Sequence, residues 1–200
     1  MNVYIIRHGE THLNKAKIHQ FRSTPLSAYG RRQIEDRLPL FKSLDIDKIY
    51  CSSLLRAKQT AKLIADSLGL KINIIPELEE VRKPTEIKGR KHNDPAVLKI
   101  EELLIMNFND KSWHYSDEEN FEDVKIRVNR FLKYLAESEK SNNILIVTHG
   151  YVAKMILAIA MFEENLSPQI YLKLVKKIEI KNSSVTKLIF KEADGWKVVI

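Results

Sequence analysis

Two short apolar runs, Val3-Tyr4-Ile5-Ile6 and Ile144-Leu145-Ile146-Val147, each lead into a histidine followed by glycine, as Arg7-His8-Gly9 and Thr148-His149-Gly150. Runs this short, apolar on successive residues and rich in β-branched side chains, suit strands buried on both faces. Such strands form parallel sheets, so the rest of the chain must supply helices to cover both sides. In open α/β sheets ligands bind beyond the carboxyl ends of the strands. Both histidines, with Arg7 beside the first, therefore stand where an anion would be met.

The remaining pattern fits that frame. Strands are expected at residues 2 to 7, 47 to 51, 72 to 75 and 144 to 148. Helices are expected near 27 to 43, starting at Ser27, and near 54 to 68, ending at Gly69. Phe121, Val124, Val128, Phe131, Leu132 and Leu135 recur at helical spacing behind a capping box of Ser116 and Glu119. A further helix follows Gly150, with Val152, Met155, Ile156 and Ile159 as its apolar stripe. Beyond it Ile178-Glu179-Ile180, Val185 to Phe190 and Trp196 to Ile200 read as strands, with Asp194-Gly195 as a hairpin turn. The expected fold class is α/β: a three-layer αβα sandwich around a mainly parallel, mixed central sheet, in a single domain spanning 1–200. Residues 82 to 115 are the least regular; Pro84 and Pro95 bracket the basic residues Arg82, Lys83, Arg90, Lys91 and His92, and the segment reads as a lid over the strand ends.

Charge narrows the partners. The net charge of +7 comes from 33 basic residues scattered among 26 acidic ones, which describes a solvated basic surface rather than a nucleic-acid-binding block. No basic leader, cleavage site or apolar stretch of membrane-spanning length is present, so a soluble cytoplasmic protein with no membrane partner is expected. The single cysteine, Cys51, lies in an apolar strand and reads as a small buried side chain. No feature of the chain specifies an oligomeric state.

His149 falls beside a helix N-terminus, where backbone N–H groups and the dipole favour an anion. The strand ending at Cys51 leads through Ser52-Ser53 into a helix whose first turn carries Arg56. An arginine there opposes the dipole and is better explained by an anion than by helix stability. Arg7 and Arg56 with these donor groups can meet one anion at the strand ends. Three carboxylates, Glu77, Glu79 and Glu80, follow the third strand. His8 and His12, spaced i, i+4, would suggest a metal pair only on a helix, and here they follow a strand and flank Gly9.

Arg7-His8-Gly9-Glu10-Thr11 with Asn14, Pro25-Leu26-Ser27 with Gly30, Ser52-Ser53-Leu54-Leu55-Arg56-Ala57-Lys58-Gln59-Thr60-Ala61 and Thr148-His149-Gly150 resemble, in order, the histidine phosphatase superfamily, also called phosphoglycerate-mutase-like. The resemblance implies the three-layer fold, a phosphohistidine intermediate, a small phosphorylated substrate, and no metal or organic cofactor. It implies His8 as nucleophile, Arg7, Arg56 and His149 as the phosphate pocket, with His149 also acting on the reacting phosphate, and Asn14 as the pocket's amide. The family's acid follows a leucine by two positions, which selects Glu80 and leaves Glu79 as the alternative. As a nucleophile His8 must be neutral, so nearby arginines should lower its pKa, and its other ring nitrogen should donate to a backbone carbonyl.

The chain also departs from the family. Where a glycine-rich, aromatic-containing stretch is common it reads Arg82-Lys83-Pro84-Thr85-Glu86-Ile87-Lys88-Gly89-Arg90; Leu13 replaces a common tryptophan and Ser23 an aspartate. Arg82, Lys83 and Arg90, with Lys91, become candidates for the substrate wall and for gripping a second anionic group. The chain is short beside the cofactor-dependent mutases, which favours hydrolysis over mutase activity. A non-catalytic phospho-ligand-binding module is a further alternative, opposed by the retention of both histidines, both arginines and an acid.

Overall fold

The computed structural model describes residues 1–139 and 143–199. Six strands form one sheet in the order β3-β2-β4-β1-β5-β6: β1 Asn2–Arg7, β2 Lys48–Cys51, β3 Ile72–Ile74, β4 Asn143–Thr148, β5 Val185–Lys191 and β6 Gly195–Val199. The first four are mutually parallel, while β5 runs antiparallel to β1 and β6 antiparallel to β5. Ile200, expected in the last strand, lies outside the described residues.

Strand alternation divides the core in two. Val3 and Ile5 of β1, with Ile144 and Ile146 of β4, pack beneath α6 (Phe121–Ser138) and α7 (Gly150–Phe162). Tyr4 and Ile6, with Leu145 and Val147, face α2 (Ala28–Glu35), α3 (Leu38–Ser43) and α4 (Leu55–Leu68). This is the three-layer sandwich. α4 ends at Gly69, whose φ of 66° is the left-handed conformation that closes a helix at little cost only in glycine. Among the described residues no helix is long and apolar enough to cross a membrane.

Four sequence expectations need correction. The helix expected over 27 to 43 starts after its Ser27 cap but breaks into α2 and α3, because Pro39 lacks an N–H and its ring would strike the carbonyl of Glu35 in a continuous helix. The cap of α6 is Asn120 with Asp123, not Ser116 with Glu119; Ser116 instead offers its backbone N–H to Glu118 at 2.8 Å, and Glu119 holds Arg127. Residues 178 to 180 form no strand: both edges of β1 are already taken, by β4 and β5. Within the irregular 82 to 115 segment lies a regular helix, α5 (Pro95–Met106), capped by Asp94; α8 (Pro168–Val175), capped by Ser167, is likewise unanticipated.

Candidate active site

Register assembles the site. Arg7 pairs with Thr148 across β1 and β4, and Cys51 with Val147 across β2 and β4, so the residues that follow these strands emerge side by side. His8 and His149 stand with ring centroids 5.1 Å apart, and the Ser52 hydroxyl meets His149 Nε2 at 2.7 Å. Both histidines are almost wholly buried, at 1% and 0% exposure. The turn after His8 is fixed by close backbone contact: a Cβ on Gly9 would come within 2.5 Å of the Gly30 carbonyl oxygen, so α2 can pack here only against glycine.

The hydrogen bonds of His8 specify its tautomer. Nδ1 lies 2.7 Å from the Gly9 carbonyl oxygen and must carry the proton, while Nε2 accepts from Arg56 Nε at 3.2 Å. The Nε2 lone pair thus faces the guanidinium. Burial holds the His8 pKa well below its ordinary value, Arg56 adds to the depression, the Gly9 hydrogen bond opposes it and Arg7 lowers it further. His149 is held neutral in the same way, by burial first and then by Arg56, His8 and Arg7.

Arg7 donates from Nη1 to the Ile180 carbonyl at 2.6 Å, which is the role the 178 to 180 segment takes instead of a strand. Arg56, in the first turn of α4, donates from Nη1 to the Phe21 carbonyl at 3.1 Å. Burial lowers the Arg56 pKa to about 10, with Glu80 pulling it back and Arg7 and Arg22 adding to the fall. Two buried polar atoms here, Arg7 Nε and His149 Nδ1, have no hydrogen-bond partner among the described residues. Unsatisfied buried polar groups are costly, and at a strand-end cluster of cations they fit an anion.

The neighbouring glutamates diverge. Glu79 is gripped by both terminal nitrogens of Arg22 and by the Ser53 hydroxyl. Burial alone would raise its pKa, but those hydrogen bonds outweigh it and hold Glu79 below the usual carboxylate range. Glu80 turns the other way and accepts backbone N–H groups of Tyr151 at 3.3 Å and Val152 at 3.4 Å, at the N-terminus of α7. Glu77 lies farther out; Arg127 donates to its carbonyl oxygen and Arg130 approaches its carboxylate at 3.8 Å.

A cleft of about 600 Å³ is lined by Arg7, Asn14, Arg56, Glu79, Glu80, Arg82 and Lys83 among others, and it reaches the two buried histidines only through residues such as Arg56, which contacts His8. Asn14 closes the capping box of α1 (His12–Lys15), and its carbonyl oxygen lies 3.4 Å from Asn182 Nδ2. Arg82 spends its Nε on the Asp117 carbonyl, and Arg90 does not line the cleft because its guanidinium chelates Asp94 at 3.0 and 3.1 Å. Lys91 does not line it either. His12 is exposed while His8 is buried, so the i, i+4 pair does not converge.

Several residues at the site were given no role from the sequence. Asn182 donates to the His8 carbonyl at 2.9 Å, and Thr60 Oγ1 accepts the Gly9 N–H at 3.1 Å. Arg22 and Arg127 also line the cleft. Thr60 sits one helical turn after Arg56 and was findable by that spacing; the others are brought in by tertiary contact alone.

The profile of the histidine phosphatase superfamily (branch 1) matches residues 3–200. The chain belongs to that superfamily. It is 32% identical over 162 residues to an adenosylcobalamin/alpha-ribazole phosphatase of Escherichia coli K12, covering 79% of this chain and 78% of the relative. A probable phosphoglycerate mutase GpmB of an Enterobacter species is 25% identical over 218 residues, covering 99% of this chain and 91% of the relative. Among solved structures, a putative alpha-ribazole-5'-P phosphatase from Escherichia coli superposes with a TM-score of 0.81 at 26% identity, covering all of this chain and 96% of the other.

Proposed function

We propose that this histidine phosphatase superfamily member hydrolyses a small phosphomonoester through a phosphohistidine on His8. The observation that carries the reading is the His8 tautomer: a buried, neutral ring with its proton fixed on Nδ1 by the Gly9 carbonyl and its Nε2 lone pair turned toward Arg56. When a phosphate enters, Arg56 transfers its hydrogen bond from Nε2 to a phosphate oxygen, and the lone pair is released for attack. Nε2 bonds to phosphorus as the phosphorus–oxygen ester bond breaks, and Glu80 gives its proton to the departing alkoxide. Glu80 then takes a proton from water, whose oxygen displaces His8 and yields inorganic phosphate. Arg7, Arg56 and His149 hold the equatorial oxygens as their charge grows, each charge-assisted hydrogen bond contributing about 1.5–3 kcal/mol. Asn14 supplies an amide at the edge of the same pocket.

Glu80 is preferred over Glu79 as the proton carrier because Arg22 and Ser53 keep Glu79 ionised and occupied. The relative named as a probable phosphoglycerate mutase makes transfer to a second hydroxyl, rather than to water, the competing reading. The deciding experiment incubates wild type and His8→Ala with labelled phosphomonoesters and follows both free phosphate and acid-labile label on the protein. Hydrolysis and labelling that vanish together in His8→Ala are expected; equal hydrolysis by both proteins refutes the nucleophile. Interconversion of phosphoglycerates faster than phosphate release would establish the mutase instead.

A further inference from the structure

Beside the cleft lies a second cavity of about 250 Å³, between α5, the N-terminus of α6 and α8. Leu104, Ile105, Phe108, Trp113, Phe121 and Leu172 make its wall. Apart from Lys83 and Glu101 at the junction with the cleft, the polar groups at its edge are engaged within the protein: Glu118 accepts the backbone N–H groups of Tyr115 and Ser116, Glu119 holds Arg127, and Asn107 and Asn120 donate to backbone carbonyls. What it offers a ligand is apolar surface.

The cavity and the cleft share Val81, Lys83, Glu101, Glu119 and Tyr151, so one continuous surface runs from the cleft of Arg7, Arg56 and Glu80 to the apolar wall. Their junction falls at Glu80: Val81 follows it in the chain, and Tyr151 donates its backbone N–H to the Glu80 carboxylate. A general acid stands against the oxygen of the leaving group. The organic part of a phosphomonoester whose ester oxygen meets Glu80 is thereby directed past Val81 and Tyr151, which both the cleft and the apolar cavity share.

We infer that this cavity is the leaving-group subsite and that the enzyme selects phosphomonoesters bearing an apolar alkyl or aryl group over short polar ones. The inference rests on the cleft being a phosphomonoesterase site. An apolar cavity of about 150 Å³ accepts benzene, so this one accommodates a larger ring or a medium alkyl chain. Lys83, at the junction, is placed to meet a polar substituent between the phosphate and the apolar end.

The test is calorimetric binding of methyl-, butyl- and octylphosphonate to the wild-type protein and to Ile105→Gln/Leu172→Gln. Phosphonates lack the scissile ester and report binding without turnover. The dissociation constant should fall by roughly three- to fourfold per methylene until the cavity is filled. The double variant should weaken octylphosphonate about tenfold or more and leave methylphosphonate within about twofold, since only the apolar contact is removed. Methylphosphonate binding as tightly as octylphosphonate would overturn the subsite and leave the phosphomonoesterase reading standing. Chain-length dependence as steep in the double variant as in the wild type would also overturn it, and failure of every phosphonate to bind would overturn the phosphate site and the subsite together.

Discussion

Acidification should destabilise this protein through its two buried strand-end histidines. His8 and His149 are buried and neutral in the folded state, with pKa values well below the ordinary 6.5, chiefly through burial and then through Arg56. Unfolding returns each to water, where it binds a proton below pH 6.5. The unfolded state therefore carries more protons than the folded one, and stability falls as pH drops below that value. Each histidine contributes a loss of at most about 1.4 kcal/mol per pH unit, the limit for one proton. Together they remove at most about 4 kcal/mol between pH 6.5 and 5, a large share of a typical stability of 5–15 kcal/mol. His19, pushed down to about 4 by burial, His92 and Lys83, acts in the same direction. Glu79 does not interfere: its folded pKa lies below the unfolded value of 4.5, so its contribution is present above 4.5 and is lost only at lower pH. The exposed His114, raised by Asp123, contributes stability that is present below 6.5 and lost as pH rises through its folded pKa, the opposite sign. Urea unfolding in phosphate-free buffer at pH 7.5 and pH 5.0 reads the difference directly. His8→Gln should make the decline shallower by at most about 1.4 kcal/mol per pH unit. If wild-type stability changes by less than about 1 kcal/mol over this range, or His8→Gln leaves the slope untouched, the neutral buried pair is refuted.

Glu80→Gln should lower kcat for an alkyl phosphate by about 10²–10⁴-fold, and much less for a nitrophenyl phosphate whose leaving group needs no proton; Glu79→Gln should cost less than about tenfold, and the reverse ranking would exchange the two roles. Gly30→Ala would drive a Cβ into the Glu10 carbonyl, backbone against backbone, and should cost about 3 kcal/mol in urea melts while lowering kcat through displacement of the turn after His8; a stable, fully active variant would contradict that contact. Phosphate or vanadate at about a hundred times its dissociation constant should stabilise the fold by about 2.7 kcal/mol, about 5–10 °C in Tm for a chain of this size. That shift should be absent in Arg56→Met, and its persistence there would place the anion elsewhere.

How much was readable in advance follows from what each residue answers to. The parallel strands were visible because burial on both faces demands an unbroken apolar run, and the histidines because each run ended in one. α5 was not, since Val97, Ile100 and Leu104 pack inward while Leu98, Ile105 and Met106 are exposed, leaving no clean stripe. Asn182 escaped because its place depends on a long-range contact, the Ser183 N–H bonded to the Arg7 carbonyl at 2.9 Å. The choice between Glu79 and Glu80 is of another kind. Glu79 lies in extended backbone, where successive side chains point to opposite sides, so adjacent glutamates must face different partners. Both line the cleft, and spacing does not distinguish them; their different partners, Arg22 and Ser53 for Glu79 and the α7 N-terminus for Glu80, come from tertiary structure.

The geometry of the site is inherited from the core rather than built separately. A one-residue slip of β1 against β4 would exchange its faces, turning Val3 and Ile5 toward the helices that now cover Tyr4 and Ile6. It would also move His8 out of line with His149 and Ser52. The apolar alternation that makes the slip costly is therefore what keeps the two rings 5.1 Å apart. Because both histidines and Arg56 are buried by the same packing, the energy that folds the sheet also holds His8 neutral and Arg56 directed at Nε2. The cost of that arrangement falls on Arg7 Nε and His149 Nδ1, buried polar atoms that have no hydrogen-bond partner among the described residues.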